Sequence, residues 1–223
     1  MPDWTALQET GLVRLENALA ETALAEIEPL FMRLGRARAG HRLPASDLAG
    51  LPSIGVIAAT IAPRLGSKVR PVRALLFDKH RGSNWALGWH QDRTIEVSTR
   101  VDTPGFGPWT IKAGRQHVAP PIALLQAMVT VRIHLDNVDV DNAPLLVAPG
   151  SHRLGLIPER EIESVVSRLG TAICLAKRGD AWLYSTPILH ASDAALNPRR
   201  RRVLQIDFSG AALPNGLEWA AAA

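Results

Sequence analysis

The chain has 223 residues, of which 47% are hydrophobic and 21% charged. That is globular composition and excludes a disordered chain, and no apolar run approaches the roughly 18 to 20 residues needed to cross a bilayer, so no membrane partner is expected. Lys and Arg number 25 against 21 Asp and Glu, a net charge of +4, and the one dense basic run is Arg199–Arg202. A nucleic-acid binder shows a concentrated stripe, so nucleic acid is not expected as a partner either.

The length predicts one domain over residues 1–223. The N-terminus, Met1-Pro2-Asp3-Trp4, lacks a basic segment followed by an apolar one. Cys174, the one cysteine, sits in an apolar strand-like run and reads as a buried thiol. Both features point to a reducing cytoplasm.

In chain order, Gly11–Leu15 reads as a short strand. Leu24, Ile27, Phe31 and Leu34 recur at helical spacing over 20–35, with Gly35 as the stop and Pro29 as a kink or a restart. Residues 36–52 are turn-rich, and Gly55–Leu65 reads as a second helix. From about residue 70 strands dominate: Val72–Lys79, Met128–Leu135, Leu145–Ala148, Ala172–Ala176, Ala181–Ser185 and Val203–Phe208. A helix over Glu159–Leu169 interrupts them, and the Gly/Pro-rich stretch Thr103–Pro121 reads as a long loop. Many short strands with Gly/Pro turns predict a sandwich or barrel, with residues 1–69 as support and about 70–210 as the β core.

The chain has seven histidines. In Trp89-His90-Gln91-Asp92, an extended backbone would put His90 and Asp92 on one face. Two histidines and a carboxylate form the facial triad that holds non-haem Fe(II) and leaves coordination positions open, and His190 is the best third ligand. The pair alone is a weak signal, because His-x-Asp arises by chance in many chains. Arg201, eleven residues after His190, opens a strand. A buried guanidinium there is a bidentate clamp for a distal carboxylate such as that of 2-oxoglutarate.

Taken together, Phe77-Asp78-Lys79, Asn84-Trp85, Trp89-His90-Gln91-Asp92, the turn Asn142-Ala143-Pro144-Leu145-Leu146-Val147-Ala148-Pro149-Gly150-Ser151-His152, His190-Ala191-Ser192 and Arg201 resemble the phytanoyl-CoA dioxygenase family. The resemblance spans roughly residues 10–218. Ala143 stands where the family usually has Gly, and the arginine run leaves the choice among Arg199–Arg202 open by a residue or two. It implies a mainly β double-stranded β-helix (a cupin-like jelly roll) with N-terminal helices packed on it.

It also implies Fe(II) held by His90, Asp92 and His190, with 2-oxoglutarate and O2 as co-substrates. Arg201 would pair with the 2-oxoglutarate carboxylate, with Ser192 as a nearby hydroxyl and Leu75 packed along the co-substrate. Arg132 shares a face with Thr130 and His134 and is a second contact candidate. Because Asp92 is present, the resemblance implies hydroxylation of a small molecule, with succinate and CO2 released, rather than halogenation. Trp109 and His117 are candidate substrate contacts, with core packing and loop ordering as their plain alternatives. Lys79 is either a substrate or co-substrate contact or a solvated strand end. The competing functions are a non-catalytic jelly-roll binding module and an oxygenase of nucleic-acid bases.

Overall fold

The protein is described here from a computed structural model, covering residues 1–32, 40–48 and 50–220. Its helices are α1 (Trp4–Thr10), α2 (Glu21–Met32), α3 (Pro52–Leu65), α4 (Ile122–Gln126) and α5 (Ile162–Leu169). Its strands are β1 (Leu12–Leu15), β2 (Gly40–Leu43), β3 (Arg70–Lys79), β4 (Leu87–His90), β5 (Ile95–Val97), β6 (Trp109–Lys112), β7 (Arg115–Val118), β8 (Val129–His134), β9 (Leu145–Val147), β10 (Ala172–Cys174), β11 (Ala181–Ser185), β12 (His190–Ser192) and β13 (Arg201–Ser209). The expected Leu34 and Gly35 at the end of α2 lie outside the described residues. The helix runs unbroken through Pro29.

A six-stranded sheet has the order β1-β11-β8-β13-β3-β2, and a four-stranded sheet the order β10-β9-β12-β4. Neighbouring strands are antiparallel throughout. A cavity lies between the two sheets, lined from the six-stranded one by β3, β8 and β13 and from the four-stranded one by β4 and β12. This is the expected double-stranded β-helix, built as an open jelly roll rather than a closed barrel.

The six-stranded sheet has two chemically different faces, as period-two alternation dictates. Ala74 and Leu76 of β3, Val131 and Ile133 of β8, and Leu204 and Ile206 of β13 are buried in one core with Leu24 and Ile27 of α2 and Ile57 and Ile61 of α3. Each of these helix side chains is at most 1% exposed. Truncating any one to Ala would cost about 2–5 kcal/mol, so this face anchors the N-terminal helices. The alternate residues point into the cavity: Arg73, Leu75 and Lys79 of β3, Arg132 of β8, and Arg201 and Gln205 of β13.

Three local features depart from the expectations. Residues 103–121 are not one loop. They carry β6 and β7, which pair through a turn with Ala113 and Gly114 at positive φ and join β5 in a third sheet. The Gly and Pro residues that read as loop punctuate a short hairpin.

The second departure is α1, which falls in a segment too short to show periodicity. The Asp3 carboxylate accepts from the Ala6 amide at 2.9 Å and caps it. Gly11 ends it at φ 83. A Cβ at Gly11 would lie 2.4 Å from His152 Nδ1, so only glycine lets this end dock on the Pro149–His152 turn.

The third is the helix expected over Glu159–Leu169. It is a 3-10 turn at Glu159–Glu161 followed by α5. Cys174 is a buried free thiol, and burial pushes it up to about 12, which keeps it inert. No helix among the described residues is long and apolar enough to cross a membrane.

Candidate active site

His90 ends β4 and His190 opens β12, and the antiparallel register sets them directly opposite one another. Their ring centroids are 4.3 Å apart. His90 Nδ1 donates to the Gly88 carbonyl at 2.8 Å and His190 Nδ1 to the Ile188 carbonyl at 3.0 Å. A carbonyl can only accept, so each Nδ1 carries a proton, and in the neutral ring Nε2 is left with a lone pair. Burial, then the neighbouring His90, pushes His190 down to about 4, leaving it neutral near pH 7. The backbone behind His190 is fixed by Ser151, whose hydroxyl donates to the Ala148 carbonyl at 2.7 Å and accepts from the Leu189 amide at 2.9 Å.

Asp92 lines the same cavity as both rings. Its carboxylate accepts from Arg73 Nη2 at 2.6 Å and Nη1 at 3.4 Å. Arg73 Nε donates to Asp207 at 2.5 Å, and Asp207 accepts from the Thr130 hydroxyl at 2.9 Å. Burial would raise the Asp92 carboxyl, but Arg73, with His190 and His90 behind it, reverses this and holds it well below the usual carboxylate range. Asp207 is instead pushed up, first by burial and then by the Asp92 charge, against the pull of Arg73.

Among the described residues no three His, Cys, Asp or Glu side chains close on one point at metal-ligand reach. The Asp92 carboxylate lies against Arg73 instead. A carboxylate has about four lone-pair sites and Arg73 takes two, so Asp92 retains capacity for a cation on its other side. Two imidazoles with free Nε2 atoms and one ionised carboxylate at the head of a single cavity fit a divalent iron in donor type and charge.

The far end of this cavity holds three buried cations. Lys79 Nζ donates to the Trp85 carbonyl at 2.7 Å, the Ser192 hydroxyl at 3.1 Å and the Asp193 carbonyl at 3.2 Å. Arg201, 2% exposed, donates to the Ala143 carbonyl, and its Nε has no partner. Arg132 donates to Gln205 at 3.0 Å and stacks over Phe77, and its Nε is also unpartnered. None of the three has an ion pair among the described residues. Burial, then Arg201 and Arg132, pushes Lys79 down to about 7, and burial, then Arg132, pushes Arg201 down to about 9. Buried cations without an acid are costly, which is what a site for a ligand anion looks like.

The rest of the arginine run behaves differently. Arg200 pairs with Asp78 at 2.9 Å and Arg202 with Asp136 at 2.8 Å, while Arg199 pairs with Asp139. Arg201 alone turns inward. Ser192 and Leu75 line the cavity as expected, with Ser192 Oγ also donating to the Ala143 carbonyl at 3.3 Å.

Two expected substrate contacts lie elsewhere. His117 is 0% exposed in the third sheet, its Nδ1 bonded to the Arg115 carbonyl at 3.0 Å and its Nε2 facing Glu96 at 3.8 Å. Trp109 packs on the core of that sheet with Arg100 over its ring. Neither lines the cavity.

The sequence reading missed Arg73, Asp207 and Arg42 as cavity or network residues. Arg73 was within reach of it, since Arg73, Leu75, Phe77 and Lys79 alternate on one face of β3.

No curated protein sequence matches the chain, but solved structures do. EctD from S. alaskensis, in its apoform, superposes with a TM-score of 0.67 at 16% identity, covering 92% of this chain and 75% of EctD. AviO1 from Streptomyces viridochromogenes Tue57 gives 0.64 at 19% identity, covering 95% of both chains. HygX from Streptomyces hygroscopicus, with nickel and 2-oxoglutarate bound, gives 0.61 at 12% identity, covering 92% of this chain and 85% of HygX. At these identities the likeness establishes the fold. The family model for phytanoyl-CoA dioxygenase (PhyH) matches residues 56–203, most of the chain. The chain therefore belongs to the phytanoyl-CoA dioxygenase family of 2-oxoglutarate-dependent oxygenases.

Proposed function

We propose that the chain, as a single domain over residues 1–223, hydroxylates an unactivated C–H bond of a small molecule, with His90, Asp92 and His190 holding Fe(II). The observation that carries this reading is the pairing of opposites in one cavity. Two cross-strand imidazoles with free Nε2 atoms stand beside an ionised carboxylate at one end, and Lys79, Arg132 and Arg201 stand without acids at the other. Crystal structures of relatives hold iron, and nickel with 2-oxoglutarate.

When bound, the iron supplies O2-dependent oxidation coupled to conversion of 2-oxoglutarate to succinate and CO2. The chain's own residues do the positioning. The Nδ1 bonds to Gly88 and Ile188 fix both rings with Nε2 towards the cavity. Arg73 holds Asp92 ionised at neutral pH. Arg201 and Lys79, with Ser192 and Arg132 beside them, take the distal carboxylate of the co-substrate, and Leu75 packs along its carbon chain.

The test is release of CO2 from carboxyl-labelled 2-oxoglutarate. The proposal expects release that needs added Fe(II) and O2 and is lost in His190→Ala. Release that is absent in the wild type, or unaffected in His190→Ala, would contradict it.

A further inference from the structure

The cavity between the sheets is lined by Arg42, Arg73, Lys79, Arg132 and Arg201 against one carboxylate, Asp92. Arg73 is balanced by Asp92 and Asp207, and Lys79, Arg132 and Arg201 cluster at the far end. Arg42 is left over. It sits on β2 directly across from Leu75, so it shares the inward face of Leu75. Its Nε is sheltered from water without a partner, and its guanidinium has no hydrogen bond or ion pair among the described residues. Burial lowers it first, and then the charge of nearby Arg73.

A second cleft, about 670 Å³, opens on the outer side of His90 and Asp92, and Lys112 of β6 stands in its wall. Lys112 is half-buried, and its ammonium donates to the Thr94 hydroxyl at 3.0 Å, a neutral partner. Arg42 and Lys112 are brought near each other by Arg115, which pairs in register with Lys112 and donates to the Leu43 carbonyl, next to Arg42, at 3.1 Å. Arg115, the next cation along, is already paired with Glu96 at 2.8 Å. Besides Asp92, the acids of the outer cleft are Glu159 and Glu163, and both are exposed. The cations therefore form two poles, Lys79, Arg132 and Arg201 at one end of the cavity and Arg42 with Lys112 near Asp92.

We infer that the second pole, Arg42 with Lys112, binds the carboxylate of the substrate, which makes the substrate class a small organic acid. This rests on the functional reading above, with the first pole taken by 2-oxoglutarate. A substrate carboxylate placed between Arg42 and Lys112 supplies the charge that Arg42 lacks and presents the adjoining carbon chain to the His90 and Asp92 end of the cavity.

The experiment loads the full chain anaerobically with Fe(II) and 2-oxoglutarate. It then titrates in straight-chain acids from acetate to octanoate, with benzoate and phenylacetate, alongside the matching primary amides. The readout is the perturbation of the visible band of the Fe(II)–2-oxoglutarate complex, which involves no turnover. The expected result is that at least one acid perturbs the band and that its amide needs a concentration roughly tenfold higher or more. Arg42→Gln and Lys112→Gln should each raise the half-saturating concentration of that acid by a similar factor. Each variant's melting curve checks that it is folded. Amides that act as well as acids, acids that never perturb the band, or folded variants that leave the acid's half-saturation unchanged would each overturn the inference. If the wild type forms no band at all, the functional reading fails first and takes this inference with it.

Discussion

The two ends of the cavity bury similar charges in opposite ways. Near His90, Arg73 meets two carboxylates, Asp92 and Asp207, and the group is tied onward through Thr130. At the far end Lys79, Arg132 and Arg201 meet only carbonyls, a hydroxyl, an amide and two aromatic faces. A closed ion network supports structure, because removing its centre strands charges in low dielectric. An open one is held in place by the fold and completed by a ligand. The difference separates the residues that shape the site from those that take the anion.

Breaking the closed end has the largest expected effect. Arg73→Met leaves the partly buried Asp92 and the buried Asp207 near each other without a cation, and should cost about 3–5 kcal/mol in denaturant unfolding at neutral pH. A loss under about 1 kcal/mol would show that the network is not closed. Breaking the open end should do the reverse. Arg201→Met should stay within about 1 kcal/mol of wild-type stability or exceed it, while weakening 2-oxoglutarate binding by about 2 kcal/mol, roughly 30-fold, in calorimetric titration. Destabilisation matching that of Arg73→Met would erase the contrast.

Lys79 sharpens the same contrast through pH. Its pKa in the ligand-free protein is pushed down to about 7, first by burial and then by Arg201 and Arg132. The ammonium form is full below that value and is lost as pH rises through it. A bound carboxylate favours the charged form, so 2-oxoglutarate affinity should be highest below pH 7. Above that it should fall by at most about tenfold per pH unit. Lys79→Met should flatten the profile over this range, and an identical slope in the variant would place the titration elsewhere.

The smallest effect concerns the turn at the open end. Ala143 sits at φ 53, a left-handed conformation that costs an L-residue about 1–2 kcal/mol, and its carbonyl receives both Arg201 and Ser192. Ala143→Gly should gain about 0.5–1 kcal/mol in urea unfolding, because glycine's entropy offsets part of the relief. Destabilisation by this change would mean that the strain is absent.

The metal-ligand candidates and the open end were more legible in the sequence than the closed network around Arg73, and the reason is range. His90 and Asp92 are two residues apart, and Arg201 follows His190 by eleven. Thr130, Arg132 and His134 alternate with Val131, Ile133 and Leu135 as strand geometry requires, so one face was polar on sight. The Arg73–Asp207 pair joins residues 134 apart in sequence and exists only through the β3–β13 register. Arg42 lies on a four-residue edge strand with no pattern of its own. The β6–β7 hairpin was hidden because its Gly and Pro residues outweigh four-residue strands in any local reading. The arginine run was ambiguous for a related reason, since Asp78, Asp136 and Asp139 claim the neighbours of Arg201 only once the sheets are assembled.

The most direct test of the account is the visible spectrum of the anaerobic protein with Fe(II) and then 2-oxoglutarate. The account predicts a metal-to-ligand charge-transfer band in the wild type, absent from His90→Ala and Asp92→Ala. In Arg201→Met the band should return only at much higher 2-oxoglutarate. No band in the wild type, or an undiminished band in folded His90→Ala, would contradict the placing of iron at His90, Asp92 and His190 with the distal carboxylate of the co-substrate at Arg201.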